Sequence, residues 1–125
     1  MIHGIGTDIV CVARMQSDID RYGDRFARRI LTESEYQEFQ TAAHRGCFLA
    51  KRFAAKEAAA KALGTGFNAE VSLRDIGVDH EPNGRPILVY SERVRNLCVA
   101  AGIVRSHLSI SDEHDYAVAF VVLEG

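Results

Sequence analysis

Apolar residues alternate with polar ones in some stretches of the chain and recur every three or four residues in others, and these two rhythms lay out its elements. The opening stretch, IHGIGTDI at 2–9, alternates as a strand: Ile5, Thr7 and Ile9 share one face, and Gly4, Gly6 and Asp8 share the other. From about 11 to 30 the period is helical, with Val12, Met15, Ile19, Tyr22, Phe26 and Ile30 as the apolar stripe. Gly23 is a point at which that helix can divide. Thr32 followed three residues later by Glu35 is a capping box, which predicts a short helix through about Ala43. Phe48 to Gly66 is dense in alanine, lysine and arginine, so it predicts a helix of about five turns with Gly64 as its left-handed stop. Val71–Asp79 reads as a strand, Pro82-Asn83-Gly84 as a turn and Pro86–Tyr90 as a second strand. Ser91 then caps a helix that Gly102 ends.

Two strands close the chain. Residues 106–112 put His107, Ser109 and Ser111 on one face and Leu108 and Ile110 on the other. Tyr116–Leu123 is apolar on both faces, the pattern of a central strand. Helices and strands in this order, with hairpins late in the chain, predict an α+β fold with a largely antiparallel sheet packed against one long and several shorter helices.

Composition narrows the classes. The chain has 125 residues, 47% of them hydrophobic, which suits one domain spanning 1–125 with its own core. Its 15 basic and 17 acidic residues nearly cancel, so neither nucleic acid nor an anionic membrane is expected as a bulk electrostatic partner. Cys11, Cys47 and Cys98 are odd in number and far apart, unlike a disulfide framework or a metal knuckle. No leader-like stretch opens the sequence and no apolar run reaches membrane-spanning length, so a soluble cytoplasmic domain is expected.

Four features carry possible chemistry, each with an ordinary alternative. On the long helix, Glu57 shares a side with Ala50, Phe53, Ala54, Ala60 and Lys61, a setting that turns a carboxylate toward neighbouring elements. It either pairs with Lys61 at i,i+4 or belongs to a site that supplies a charge or a metal. Asp8, on a strand face cleared by glycines, either caps the following helix or joins such a site. Arg14, Arg21, Arg25 and Arg28 form a row that is either a solvated face or a surface for an acidic helical partner. His107 stands on a polar strand face, where a histidine is commonly structural.

The segments GIGTDIV (4–10), RFARRILTESE (25–35), FLAKRFAAKEAAAKALGTG (48–66) and HLSISDEHDYAVAFVV (107–122), in this order, resemble holo-acyl-carrier-protein synthases. These are the small phosphopantetheinyl transferases of bacterial fatty-acid synthesis, and the similarity runs nearly from end to end. The resemblance implies the 4′-phosphopantetheinyl transferase fold and a cytoplasmic homotrimer with coenzyme A bound between subunits. It also implies an Mg²⁺-dependent transfer of the 4′-phosphopantetheine arm of coenzyme A to a serine of apo acyl carrier protein, releasing adenosine 3′,5′-bisphosphate.

Carried over residue by residue, the resemblance makes Asp8 and Glu57 the Mg²⁺ ligands and, with Lys61, the catalytic set. Two carboxylates without a cysteine or histidine cage suit Mg²⁺ better than Zn²⁺. Lys61, Gly64, Thr65, Gly66 and His107 are implied on the coenzyme A side, and Arg14, Arg21, Arg25, Phe26 and Arg28 in docking the carrier protein. The acceptor of the serine proton is open between a metal-held water and a side chain. The chain departs from the pattern at Cys11, where relatives often have Glu, at Met15 in place of Ile, and in the Ser111–His114 turn. The competing classes are a non-catalytic module binding coenzyme A or carrier protein, and a plain structural domain. A broad-specificity transferase with two fused repeats is disfavoured, because only one copy is present.

Overall fold

A computed structural model describes residues 1–125. The chain runs β1 (Ile2–Cys11), α1 (Val12–Tyr22), α2 (Asp24–Ile30), α3 (Glu33–Gln40) and α4 (Arg45–Leu63). After a single 3₁₀ turn at Leu73–Asp75 come β2 (Ile76–His80), β3 (Pro86–Tyr90), α5 (Glu92–Ala100), β4 (Arg105–Asp112) and β5 (Tyr116–Glu124). The α+β class is as expected, and every strand pair is antiparallel.

The strands form two sheets. β1-β5-β4 is the larger, with the apolar β5 at its centre as its two-faced pattern implied; β2-β3 is a separate hairpin. Alternation assigns the faces. Ala117, Ala119, Val121 and Leu123 of β5 are fully buried toward α4, while Val118 and Phe120 point away and stay exposed. The register carries this division to the neighbours, so Gly4, Gly6 and Asp8 share the α4 side and Ile5, Thr7 and Ile9 the open side. Glycine is required at two of those places: a Cβ on Gly4 would overlap the carbonyl oxygen of Ala62, and one on Gly6 that of Ala58. The small side chains of both elements let the strand lie directly on the helix backbone.

Several boundaries differ from the sequence reading, each for a local reason. The helix expected over 11–30 breaks at Gly23, whose φ of 69° no helix accepts. α3 stops at Gln40 rather than near Ala43, and α4 begins at Arg45, ahead of Phe48. The strand expected from Val71 starts at Ile76, because Ser72 and Asp75 make a capping box that turns the intervening backbone. α4 has no solvated long face: Arg52, Ala55, Lys56 and Ala59 are as buried as Ala50 and Ala54 on the other side.

Candidate active site

Asp8 sits where β1 crosses the C-terminal third of α4. It pairs with Ala119 in the sheet and so turns its carboxylate to the helix. It does not cap α1; that helix starts after Cys11 without any side-chain cap, and its first N–H donates to the Asp115 carbonyl instead (2.9 Å). Lys61, one turn beyond Glu57, donates from Nζ to the Thr7 carbonyl (2.8 Å) and to Asp8 Oδ1 (3.3 Å). Of the two alternatives for Glu57, the i,i+4 pair with Lys61 is not formed; the lysine bridges to the strand instead.

Glu57 is thereby left without an ion-pair partner although it is half-buried. Burial pushes its carboxyl above the ordinary glutamate value, and the charge of Asp8 pushes it further, against a smaller opposing effect of Lys61. The side chain of Asp8 is 19% exposed and that of Lys61 53%, so the amine stands at the mouth of the site and the carboxylates deeper. An ammonium has three N–H donors, of which Lys61 uses two, leaving one free for a ligand. Just past it α4 ends at Gly64 in the left-handed conformation (φ 81°), and Gly66 repeats the positive φ (61°). Gly64-Thr65-Gly66 is an exposed turn beside Lys61.

His107 lies elsewhere. It pairs with Val122, which pairs with Ile5, so it projects from the open face of the sheet, opposite to Asp8. Its Nε2 meets Glu124 Oε1 at 2.8 Å, and this contact holds the Glu124 carboxyl below its usual range. Arg85 and Arg105 line the same cleft. Asp8, Glu57, Lys61 and the Gly64–Gly66 turn are thus brought together, while His107 lies in a separate cleft with Arg85, Arg105 and Glu81.

The pattern of the 4′-phosphopantetheinyl transferase superfamily matches residues 4–121. The chain belongs to this superfamily. Among curated relatives, the holo-[acyl-carrier-protein] synthase of Halorhodospira halophila is 51% identical over 123 residues, 98% of either chain. Among solved structures, the holo-[acyl-carrier-protein] synthase of Neisseria meningitidis superposes with a TM-score of 0.95 at 48% identity, covering 100% of both chains. That of Helicobacter pylori, in complex with coenzyme A, superposes at 0.84 with 32% identity, covering 96% of this chain and 99% of the other.

In this phosphopantetheinyl transferase chain the arginine row is not continuous, because Gly23 turns α2 away from α1. Arg14, Arg21, Arg25 and Arg28 are all exposed, and Arg28 in addition lies over the Tyr36 ring, 4.0 Å from its centroid. Phe26 lines an open cleft of about 440 Å³ with Tyr22, Arg25 and Arg29, and the sequence reading had not singled out Arg29. It also missed a buried ion pair behind the site. Lys56, next to Glu57 in sequence but turned inward, donates to Glu35 Oε1 at 2.7 Å, to the Leu73 carbonyl at 3.1 Å and to that of Ile76. Glu35 had been read only as half of a capping box. A lysine on an alanine-rich helix without a polar face was the available signal, since such a residue has no water to reach.

Proposed function

We infer that the chain transfers the 4′-phosphopantetheine group from coenzyme A to a serine of apo acyl carrier protein, supplying holo carrier protein for fatty-acid biosynthesis. The observation that carries this reading is the meeting of Asp8, Glu57 and Lys61 where a strand lies on a helix. Residues 1–125 act as one domain, with a single core of buried residues joining both sheets to α4.

The donor set fits Mg²⁺. Glu57 is a half-buried carboxylate with no partner, a state that a hard cation relieves. Asp8 and Glu57 are the two carboxylates that would hold the ion, and waters and phosphate oxygens would supply the rest. Bound there, Mg²⁺ supplies charge neutralisation of the pyrophosphate and stabilises the departing phosphate. Lys61 places its free N–H on a phosphate oxygen and Gly64–Gly66 lets the nucleotide approach the backbone. The serine oxygen, its proton passing to water at the site, forms a bond to the phosphorus that bears the pantetheine arm. The bond from that phosphorus to the bridging oxygen breaks, and adenosine 3′,5′-bisphosphate leaves.

A homotrimer with sites between subunits accounts for the separation of His107 from Asp8. Ile5, Ile9, Val118 and Phe120 leave an apolar sheet face open in the isolated chain, with Ile9 61% exposed. Association through that face covers it, and brings His107, Arg85 and Arg105 of one copy toward Lys61 of the next. Phe120→Asp is expected to give a monomeric mass by light scattering and to abolish transfer; a trimeric, active variant would contradict the assembly. Three free cysteines accord with a reducing cytoplasm, and no helix is long and apolar enough to cross a membrane.

Carrier docking is assigned to α1 and α2. The double reversal Arg14→Glu and Arg25→Glu is expected to raise KM for carrier protein about tenfold or more and to flatten its salt dependence, leaving KM for coenzyme A in place. Unchanged carrier KM would return these arginines to a solvated surface. The reaction itself is tested by intact mass of an apo acyl carrier protein incubated with the chain, coenzyme A and Mg²⁺. A gain of one phosphopantetheine, abolished by EDTA, is expected. Binding of coenzyme A without any gain would make the chain a binding module.

A further inference from the structure

The segment from Gly64 to Val71 joins the end of α4 to the turn before β2, and its tether lies on a helix that takes no part in the site. We propose that Arg93 of α5, oriented by Asp75, is a positioning residue for coenzyme A: it fixes this segment and with it the Gly64–Gly66 turn. The proposal rests on the reading above that this turn faces the nucleotide.

Close to α4, backbone bonds hold the turn, Gly64 N–H to the Lys61 carbonyl and Gly66 N–H to that of Ala60. Farther on, Asn68 accepts from the N–H groups of Glu70 and Val71, which shapes the segment but ties it to nothing else. Phe67 packs against the core and Val71 enters it. The one side chain from outside the segment that hydrogen-bonds to it is Arg93, whose Nη1 donates to the Ala69 carbonyl at 2.9 Å.

Arg93 is held in place for this. Its Nε donates to both carboxylate oxygens of Asp75 at 3.0 Å, and Nη2 donates to Oδ2 as well. Asp75 also accepts from the Ser72 N–H (2.8 Å), the Ser72 hydroxyl (2.9 Å) and the Ser91 hydroxyl (2.7 Å). These bonds, that of Arg93 foremost, hold its carboxyl well below the usual range, so it is ionised at any working pH. A cation in the first turn of a helix faces the positive end of the dipole, an unfavourable place for it. Arg93 occupies that place at the start of α5, where Ser91 already caps. The fork geometry explains the choice: a guanidinium grips the carboxylate on one edge and reaches the loop carbonyl with the other, which an ammonium on a flexible stem does not.

The experiment compares wild type, Arg93→Ala, Arg93→Lys and Asp75→Asn by calorimetric titration with coenzyme A and by initial rates against both substrates. Arg93→Ala is expected to weaken coenzyme A binding and raise its KM by roughly three- to tenfold, the effect of one or two hydrogen bonds. kcat and carrier KM are expected to stay within about twofold, as for a lost positioning contact rather than a lost transition-state one. Asp75→Asn is expected to move in the same direction, and Arg93→Lys to recover only part of the loss. Unchanged coenzyme A affinity in Arg93→Ala would overturn the proposal. So would a joint fall of kcat and both affinities in proportion to a lowered melting temperature, which marks a merely structural residue. Wild type that binds coenzyme A but transfers nothing would refute the transferase reading alone, and the titrations would still decide on Arg93. Wild type that does not bind coenzyme A would refute both.

Discussion

Asp8→Asn and Glu57→Gln are each expected to lower phosphopantetheine transfer by at least about a hundredfold while the protein stays folded. The magnitude follows from what is removed. Loss of a group that merely orients a metal ligand costs ~10–100-fold, so under the proposed Mg²⁺ assignment loss of a ligand itself is expected to cost more. Both replacements keep shape and volume, so no cavity forms. Glu57 makes no hydrogen bond and no ion pair within the chain, and its charge is opposed by burial and by Asp8. Its neutralisation therefore takes nothing from the fold. Asp8→Asn removes the carboxylate that meets the half-exposed Lys61, a contact of small value to stability. The check pairs initial rates, read as carrier-protein mass gain at saturating coenzyme A and Mg²⁺, with thermal melts and with calorimetric titration of Mg²⁺ in the presence of coenzyme A. Near-full Mg²⁺-dependent turnover in either variant would sink the assignment of these carboxylates to the metal.

Much of this site was legible from residue types and spacing, and the limits of that reading are physical. Alternation in GIGTDI correctly put Asp8 on the glycine face, and that face is cleared because only a missing Cβ lets the α4 backbone approach it. Helical period and a glycine stop placed Lys61 and Gly64 at the right end of α4. Neither rhythm states which strand lies beside which, however. Only the β1-β5-β4 register reveals that His107 and Asp8 face opposite ways. Arg28 illustrates a second limit: helical spacing groups it with Arg14 and Arg21, but Gly23 rotates it onto Tyr36. Lys56 illustrates a third. Beside Glu57 in sequence it looks like one more charged helix residue, and its burial depends on α3 and the segment before β2 closing over it.

That buried lysine carries the largest expected effect on stability. Lys56→Met leaves the Glu35 carboxylate, 1% exposed, with only the longer contact to Arg52 Nε at 3.9 Å, and strips a donor from the carbonyls of Leu73 and Ile76. Glu35 also accepts from Thr32 N–H at 2.9 Å and Val78 N–H at 2.8 Å, so it cannot turn away without uncapping α3 and releasing β2. Breaking a buried pair from one side costs about 3–5 kcal/mol, against a total stability of about 5–15 kcal/mol for a domain. The melting temperature is expected to drop by roughly 10–20 °C at matched protein concentration. Lys51→Met, on the same helix but without a partner in the chain, is the control and is expected to change stability by about 0.5 kcal/mol or less. A Lys56→Met melt within about 2 °C of wild type would show that the pair contributes little. The pH dependence supplies an independent sign. Burial holds the Lys56 ammonium below its ordinary value of 10.5, with Glu35 opposing that shift. Between the lowered value and 10.5 the folded chain therefore binds fewer protons than the unfolded one, and stability rises with pH across that window. It is lost again as pH falls through the lowered value. Lys56→Met lacks this slope, so the stability gap between wild type and variant widens as pH is raised toward 10.5; a gap that narrowed instead would place the proton on the folded amine.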